Sequence, residues 1–360
     1  MPGRRVIVYG LGGTIAMTAA GSDGVAPTLS TAQLVASVPG LAATGIGVEV
    51  EDFRRLPGAS LTFDDITALA QSVHELTTAD PGIDGVVVVQ GTDTIEETAY
   101  LLDLLHPEAC PVVVTGAMRP PQLAGADGPA NLLAAIAVAA NPHTGDQGCL
   151  VVLADEIHAA RRVRKTHTSA GATFRSPTGG PLGYLVEGQP RMVNRLTHRT
   201  VLPRPAAGSP PPRVALVTIV LGDDGLLLEH LPGHLDGLVV AAFGVGHVPA
   251  ALVPLLDTLA RRIPVVLASR TGAGSVAAAT YGFPGSERDL LGRGLISAGF
   301  LDPLKARILL HTLLTAGSDR PTMTAAFGVA GGYTDPARWP WPRPGRTDSQ
   351  PRSPGCVATN

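Results

Sequence analysis

Two threonine-bearing turns and one carboxylate are the first residues in this chain that could do chemistry. Thr14 follows two glycines in 10-GLGGTIA-16, and Thr92 and Asp93 follow a glycine in 90-QGTDT-94. A threonine hydroxyl becomes a nucleophile when a neighbouring base removes its proton. The two turns therefore suggest a site for nucleophilic catalysis, provided that the fold brings them together and supplies a base.

Each of these side chains also has a structural interpretation. Thr14 could cap a turn or a helix, and Asp93 could complement a helix dipole. Thr94 and Glu97 match a capping box, in which the two side chains bond to the backbone of the first helical turn. Capping explains any one of the threonines taken alone, and only the convergence of several polar turns favours a catalytic site.

Two further segments supply what such a site would need. The turn 115-TGAMRP-120 follows an apolar run and can offer backbone N–H groups to a developing oxyanion. Lys165, in 161-RRVRKTHTSAGATFRSP-177, is the candidate base, because a lysine removed from water has a lowered pKa. We expect the neighbouring Arg161, Arg162 and Arg164 to form a solvated face.

The elements that must position these residues alternate between strand and helix. Short apolar runs without alternation predict buried strands, at 5–10, 84–91, 110–116 and 149–155. Apolar residues spaced three and four apart predict helices at 31–38, 62–76, 96–105 and 129–140. This order predicts an α/β fold with a parallel sheet, whose strands end at the edge where a site would form.

The length of 360 residues and a proline-rich segment predict two domains. We expect a larger N-terminal catalytic α/β domain with a parallel sheet over residues 1–200 and a linker over 201–213. A smaller C-terminal α/β domain follows over 214–330, and a disordered tail rich in Pro, Arg and Gly over 331–360.

Composition excludes several classes of function. The net charge of −3 and the aromatic content of 4% argue against nucleic acid and anionic membranes as partners. The three cysteines lack a metal-ligand spacing. The first glycine loop has Ile15 where a dinucleotide fingerprint needs glycine. With no apolar leader or bilayer-length run before or after the first strand, the sequence predicts a cytoplasmic protein.

From about residue 4 to residue 330 the chain resembles the bacterial-type L-asparaginase family. The resemblance rests on several motifs in a fixed order, namely 10-GLGGTIA-16, 91-GTDTIEETAYLLDL-104, 114-VTGAMRP-120, 126-ADGPANL-132, 163-VRKTHT-168, 173-TFRSP-177, 181-PLGY-184 and 299-GFLDPLKARILL-310. Two Gly-Thr motifs in this order are far more specific than a glycine-rich loop.

The resemblance implies roles for the residues at the matching positions. Thr14 would be the acylated nucleophile, and Thr92, Asp93 and Lys165 would form a second polar triad. Asp93 would also hold the α-ammonium group of the substrate. Thr92 and Ala117 would lend backbone N–H groups to the oxyanion, and the reaction would need no metal or organic cofactor.

The substrate-binding positions are where the chain departs from the family. Ser60 and Gly91 are assigned to substrate binding, although direct alignment places Gly58 at the serine that holds the carboxylate. The family usually has a tyrosine in the active-site lid. The matching position here falls near Gly24, and the lid segment 17-MTAAGSDGVAPT-28 contains no tyrosine. A glutamate that the family takes from a neighbouring subunit is replaced by Tyr281 or, further along, by Glu287.

The resemblance implies hydrolysis of L-asparagine to L-aspartate and ammonia through a β-aspartyl enzyme, with minor L-glutaminase activity. It also implies a homo-oligomer, either a dimer or a tetramer. Two alternatives stay open at this point. One is a non-catalytic or weakly catalytic amino-acid-binding protein of the same fold that acts as a sensor, and the other is the amidase component of a tRNA-dependent amidotransferase.

Overall fold

The structure is a computed structural model that describes residues 3–13, 15, 17–19, 25–27, 29–205, 210–231 and 233–342, with the backbone alone at 17–19 and 25–27. The first half of the chain has strands β1 (Arg5–Gly10), β2 (Met17–Ala19), β3 (Val25–Pro27), β4 (Gly47–Asp52), β5 (Gly85–Val89), β6 (Val112–Thr115), β7 (Cys149–Leu153), β8 (Glu156–Ala159), β9 (Arg164–Lys165), β10 (Phe174–Arg175), β11 (Gly183–Val186) and β12 (Gln189–Met192).

Its helices are α1 (Thr31–Ala36), α2 (Phe63–Ala79), α3 (Ile95–Leu105) and α4 (Gly128–Ala139). The second half has strands β13 (Val214–Thr218), β14 (Gly237–Ala242), β15 (Val265–Ser269) and β16 (Ile296–Ser297). Its helices are α5 (Leu226–Glu229), α6 (Val253–Arg262), α7 (Glu287–Gly292), α8 (Pro303–Thr315) and α9 (Arg320–Ala330).

The N-terminal domain is built on an eight-stranded sheet in the order β12-β11-β8-β7-β6-β5-β1-β4. The five neighbouring strands β4, β1, β5, β6 and β7 are parallel, as the sequence predicts. Strands β8, β11 and β12 extend the sheet in antiparallel pairs. The direction changes because a tight turn at Ala154 and Asp155, both with positive φ, joins β7 to β8. So short a turn allows only antiparallel pairing.

Strand β5 shows why the apolar runs have no alternation. All five of its residues are buried, since helices cover both faces of the sheet. Val86 and Val88 pack into the core on the side of α2 and α3, whereas Val87 and Val89 pack on the side of α4. The strand must leave the core at Gln90, and the polar turn that follows lies at the carboxyl edge of the sheet.

The smaller C-terminal domain is a parallel four-stranded sheet in the order β13-β14-β15-β16. Helix α8 packs on this sheet and also contacts α3 of the first domain. Gly237 permits the close approach, because a Cβ atom there would lie 2.9 Å from Leu310 of α8. The core on this side of the first sheet continues into the second domain.

The prediction of a disordered tail from residue 331 is wrong for residues 331–342. The Trp339 side chain is only 6% exposed, and its indole Nε1 donates a hydrogen bond to the Val201 carbonyl at 2.8 Å. Trp341 packs beside it. The prolines of this segment favour disorder, but its two tryptophans bury enough apolar surface to fix it. Residues 343–360 lie outside the described part of the chain.

Candidate active site

Three loops meet backbone to backbone at the carboxyl edge of the first sheet. Gly12 and Gly13, after β1, have φ values of 97° and 91°, a conformation that favours glycine. A Cβ atom on Gly13 would lie 2.0 Å from the Gly91 amide nitrogen, and one on Gly58 would lie 3.0 Å from the Gly91 carbonyl oxygen. The glycines therefore let the first two polar turns touch.

Thr14 itself lies outside the described residues. The residues on either side of it are described. Gly13 contacts Gly91, and Ile15 is 3% exposed and packs close to Gly128 at the start of α4. The lid position near Gly24 is likewise outside the described part of the chain.

Lys165 is bonded to both polar side chains of the second turn. Its Nζ donates to Thr92 Oγ1 and to Asp93 Oδ1, each at 2.9 Å. The Lys165 side chain is 15% exposed and Thr92 is 6% exposed, whereas the Asp93 side chain is 68% exposed. This arrangement lets a proton pass between the threonine hydroxyl and the amine while one carboxylate oxygen faces solvent.

A short hairpin holds Lys165 at this point. Strands β9 and β10 pair antiparallel, with Lys165 opposite Phe174, and Phe174 is buried in the core. Beyond the strands, the amide and the hydroxyl of Thr166 both donate to the Thr173 carbonyl, at 2.9 and 2.8 Å. The motifs 163-VRKTHT-168 and 173-TFRSP-177 are thus the two sides of one hairpin.

Ala117, the candidate oxyanion residue, lies in a loop fixed by the 126-ADGPANL-132 motif. Asp127 accepts hydrogen bonds from the amides of Met118 and Arg119, at 3.0 and 2.9 Å. Asn131 donates to the Gly116 carbonyl and accepts from the Ala154 amide, both at 3.0 Å. The motif alone does not predict a role for Asp127 and Asn131, although a spacing of four residues at the start of a helix places two side chains on the same face.

The capping box predicted for Thr94 and Glu97 is wrong. The Thr94 side chain makes no capping bond to α3, and its hydroxyl instead donates to the Gly58 carbonyl at 3.0 Å. The buried Gln90 amide donates to Thr94 Oγ1 at 3.2 Å. The hydroxyl therefore ties the second turn to the 57–60 loop, where Ser60 is exposed.

The arginines before Lys165 do not form a solvated face as expected. The Arg161 side chain is only 9% exposed and lies 3.5 Å from Asp103. With Arg162 and Arg164 it lines a cavity of about 250 Å³ between the two domains. Arg161 and Arg162 lie against Asp103 and Gly179 of their own domain, whereas Arg164 lies against Gly272 of the C-terminal domain.

Glu287 and Tyr281 are the two candidates for the position of the missing glutamate. Of these, Glu287 has a structural role. It is fully buried, and its Oε1 accepts the amides of Thr280 and Tyr281 at 2.9 Å each. His247 lies 3.2 Å from its other oxygen. Burial alone would raise the pKa of Glu287, but these amide donors outweigh it and the pKa is lowered. Tyr281 is 43% exposed and stays at the surface.

Comparison with known proteins identifies the family. The family model "Asparaginase, N-terminal" matches residues 5–198, and the model "Glutaminase/Asparaginase C-terminal domain" matches residues 213–327. The chain belongs to the asparaginase family. The first match covers the glycine loops, the Thr92–Asp93 turn and Lys165, so that the site described above lies within it.

Relatives of this asparaginase family member align over most of their length. The probable L-asparaginase of Deinococcus radiodurans is 37% identical over 90% of this chain and 97% of its own. The glutaminase-asparaginase of Pseudomonas aeruginosa is 31% identical over 90% of each chain. The crystal structure of a probable cytoplasmic L-asparaginase from Campylobacter jejuni covers 90% of this chain and 99% of its own, with a TM-score of 0.78 and 32% identity.

Every helix in the described part of the chain is too short or too polar to span a lipid bilayer. No group of three or more His, Cys, Asp or Glu side chains in the same residues could hold a metal ion.

Proposed function

We propose that this chain hydrolyses the side-chain amide of L-asparagine to L-aspartate and ammonia. The observation that carries the proposal is the pair of 2.9 Å contacts from Lys165 Nζ to Thr92 Oγ1 and Asp93 Oδ1. A hydroxyl held by an amine, beside an exposed carboxylate, suits general acid–base catalysis on a substrate that carries an ammonium group. Membership of the asparaginase family supports this choice of substrate.

In the first half of the proposed reaction, the Thr14 hydroxyl attacks the amide carbon of the substrate and gives up its proton. The amide nitrogen takes up a proton and leaves as ammonia, so that a β-aspartyl ester on Thr14 remains. Backbone N–H groups of Thr92 and Ala117 stabilise the negative oxygen of the tetrahedral intermediate. The contacts that Gly13 and Ile15 make with this edge of the sheet support the role of Thr14.

In the second half, water adds to the ester carbon and aspartate is released. Thr92 and Lys165 are proposed to take the proton from water and return one to the Thr14 oxygen. In both halves Asp93 binds the α-ammonium group of the substrate with the oxygen that Lys165 leaves free. Ser60 and the Gly91 backbone are proposed to bind its α-carboxylate, which the exposure of Ser60 beside Gly58 supports.

Ammonia release from L-asparagine tests this function directly. We expect Thr14→Ala and Thr92→Val each to lower kcat by about 100-fold or more, because each removes a hydroxyl that the reaction needs. Thr258→Val is the matched control, since Thr258 is exposed on α6 and its hydroxyl donates to the Pro254 carbonyl of the same helix.

Equal turnover by the wild type, Thr14→Ala and Thr92→Val would disprove the proposed mechanism. Tight binding of asparagine by calorimetry without any ammonia would instead identify the chain as a sensor. A tRNA-dependent amidase would transfer the ammonia to a charged tRNA rather than release it.

L-Glutamine is proposed as a minor substrate. The C-terminal family model is shared by glutaminases and asparaginases, and one relative is named for both activities. The same assay with glutamine gives the ratio of the two kcat/KM values. We expect asparagine to be favoured, because a chain one methylene longer must fit the same contacts.

We also propose that the protein is a cytoplasmic homo-oligomer, either a dimer or a tetramer. Its likeness to a probable cytoplasmic L-asparaginase supports the location. Exposure of Tyr281 and Phe283 on the C-terminal domain is compatible with a subunit contact. Sedimentation in solution and fractionation of the producing cells test the two statements, and a fully active monomer would contradict the first.

A further inference from the structure

Lysine is used at only two positions in this chain. They are Lys165 and Lys305, so that every other basic side chain among the 27 is arginine. Both lysines take part in one connected set of polar contacts. In a chain that otherwise uses arginine throughout, the two exceptions mark places where a compact ammonium group serves better than a planar guanidinium.

Lys305 lies on α8 of the C-terminal domain and is completely buried. Its Nζ donates to the Val163 carbonyl at 2.6 Å and to Asp302 Oδ2 at 2.9 Å, and it lies 3.7 Å from Glu96 Oε2. The three oxygens come from three separate parts of the chain. Val163 and Asp302 accept hydrogen bonds from the ammonium group, whereas Glu96 is an ion-pair partner beyond hydrogen-bonding distance.

The contacts of Lys305 reach the proposed active site from two sides. Val163 is two residues before Lys165, so the bond to its carbonyl fixes the chain that enters β9. Glu96 is three residues after Asp93 at the start of α3, and the backbone N–H of Lys165 helps to lower the pKa of its carboxylate. Lys305 thus connects the start of α3, which follows the Thr92–Asp93 turn, with the strand that carries Lys165.

The charges around Lys305 explain why a cation is needed there. Burial raises the pKa of Glu96, and Lys305 and Arg164 oppose this rise. Burial also tends to raise the pKa of Asp302, but the charge and hydrogen bonds of Lys305 outweigh it and the pKa is lowered. Without Lys305, two buried carboxylates would face Arg164 alone.

We infer that Lys305 is a positioning residue for Lys165, and that through it the C-terminal domain sets the geometry of the catalytic amine. This inference rests on the proposed function of Lys165. Lys305 touches neither Thr92 nor Asp93 in the structure. It acts by fixing the backbone at Val163, two residues before Lys165, so that the Lys165 amine lies 2.9 Å from each partner.

The first test is the effect of Lys305→Met on kcat and KM. We expect kcat to fall by about 10- to 100-fold with KM little changed, because a small displacement of a catalytic group is enough for such a loss. Arg307→Met is the matched control, since Arg307 lies on the same helix but bonds to Val214 of the second sheet. It is expected to cost stability and to leave kcat unchanged.

A second variant separates positioning from stability. Lys305→Met combined with Glu96→Gln removes one uncompensated buried carboxylate and keeps the size and shape of the side chain at position 96. We expect the melting temperature to recover relative to Lys305→Met while kcat stays low, because the Val163 carbonyl still lacks its donor. Recovery of kcat in step with stability would overturn the inference.

A third measurement does not depend on turnover. In Lys305→Met, Lys165 is the sole lysine, and its acylation by an amine-directed reagent can be followed by mass spectrometry. We expect about tenfold faster acylation than in the wild type, since the amine is less firmly held by Thr92 and Asp93. Unchanged kcat and unchanged acylation would overturn the inference, whereas absence of ammonia release by the wild type would count against the proposed function alone.

Discussion

Lys165 joins two side chains that differ sharply in exposure. Thr92 is buried, and Asp93 presents most of its carboxylate to solvent although one oxygen is bound to the amine. A substrate can therefore reach Asp93 without displacing Lys165. This division suggests that Asp93 has two simultaneous tasks, to orient the amine and to bind a positively charged group.

Asp93→Asn tests these two tasks together. The amide keeps the shape but loses the charge, so that both the ion pair with Lys165 and the attraction for a substrate ammonium are weakened. We expect kcat/KM for asparagine to fall by about 100-fold, which corresponds to the loss of one or two charge-assisted hydrogen bonds. Steady-state kinetics measure this directly.

Asp64→Asn is a suitable control, because Asp64 is an exposed aspartate in the first turn of α2. It is expected to leave kcat/KM unchanged. An Asp93→Asn enzyme with normal kcat/KM, or one whose loss of activity follows a loss of folding, would contradict the assignment.

The loops at the sheet edge depend on close backbone contact rather than on side chains. Gly13 combines a positive φ with a neighbour so close that no Cβ atom fits. Gly40 has a similar φ of 79° but open space around it. Comparing alanine substitutions at Gly40 and Gly13 therefore separates the free-energy cost of the backbone conformation from the cost of moving two loops apart.

We expect Gly40→Ala to cost about 1 kcal/mol of unfolding free energy, the usual penalty for an alanine in the left-handed region, with normal activity. Gly13→Ala should cost more and should abolish most turnover, because the loop that precedes Thr14 must move away from Gly91. Urea unfolding and ammonia release measure the two effects. Similar behaviour of both variants would show that the contact between the loops is unimportant.

These elements also show how far sequence reasoning reaches. It predicted the buried strands and the alternation of strand and helix, because apolar runs and helical spacing are local signals. It also named Thr92, Asp93 and Lys165, which the structure brings within hydrogen-bonding distance. The roles of these residues stay predictions.

The structural features that local sequence patterns do not predict depend on contacts between distant segments. The Thr94 hydroxyl has a local capping partner in the pattern, but Gly58, 36 residues earlier, provides a different acceptor. The hairpin at Ala154 and Asp155 has no glycine or asparagine to mark it. The burial of Lys305 follows from the packing of the second domain against the first, which no local pattern contains.

The connection between the two domains is anchored at a cluster of charged groups around Glu108. His74 of α2 and His106 both contact its carboxylate, and Arg204 of the linker lies 3.7 Å away. Arg199 donates to the Glu108 carbonyl oxygen at 3.0 Å. Burial would raise the pKa of Glu108, but its bonds to the histidines outweigh burial and lower the pKa to about 2.

Because of this lowered pKa, the unfolding free energy of the whole molecule depends on pH. Because the folded-state pKa lies below the unfolded-state value of 4.5, the contribution of Glu108 is complete above pH 4.5 and is lost as the pH falls toward 2. The shift corresponds to about 3 kcal/mol. Near neutral pH we expect Glu108→Gln to be less stable than the wild type by about 3 kcal/mol. This difference should shrink as the pH falls from 4.5 toward 2.

Urea unfolding at a series of pH values measures the difference. Glu187→Gln is the control, since Glu187 is exposed in the turn between β11 and β12. It should not change the unfolding free energy at any pH. A difference between wild type and Glu108→Gln that persists unchanged down to pH 2 would exclude the ionised carboxylate as its cause.

The scarcity of lysine gives this protein a built-in spectroscopic label. Isotopic enrichment of lysine alone would mark one amine at the proposed active site and one that is buried where α8 of the second domain meets the first. Two nuclear magnetic resonance signals would then suffice, and either single substitution would assign them without further work. Addition of substrate should shift the Lys165 signal first, and a coupled shift of the Lys305 signal would report how strongly the two domains respond together.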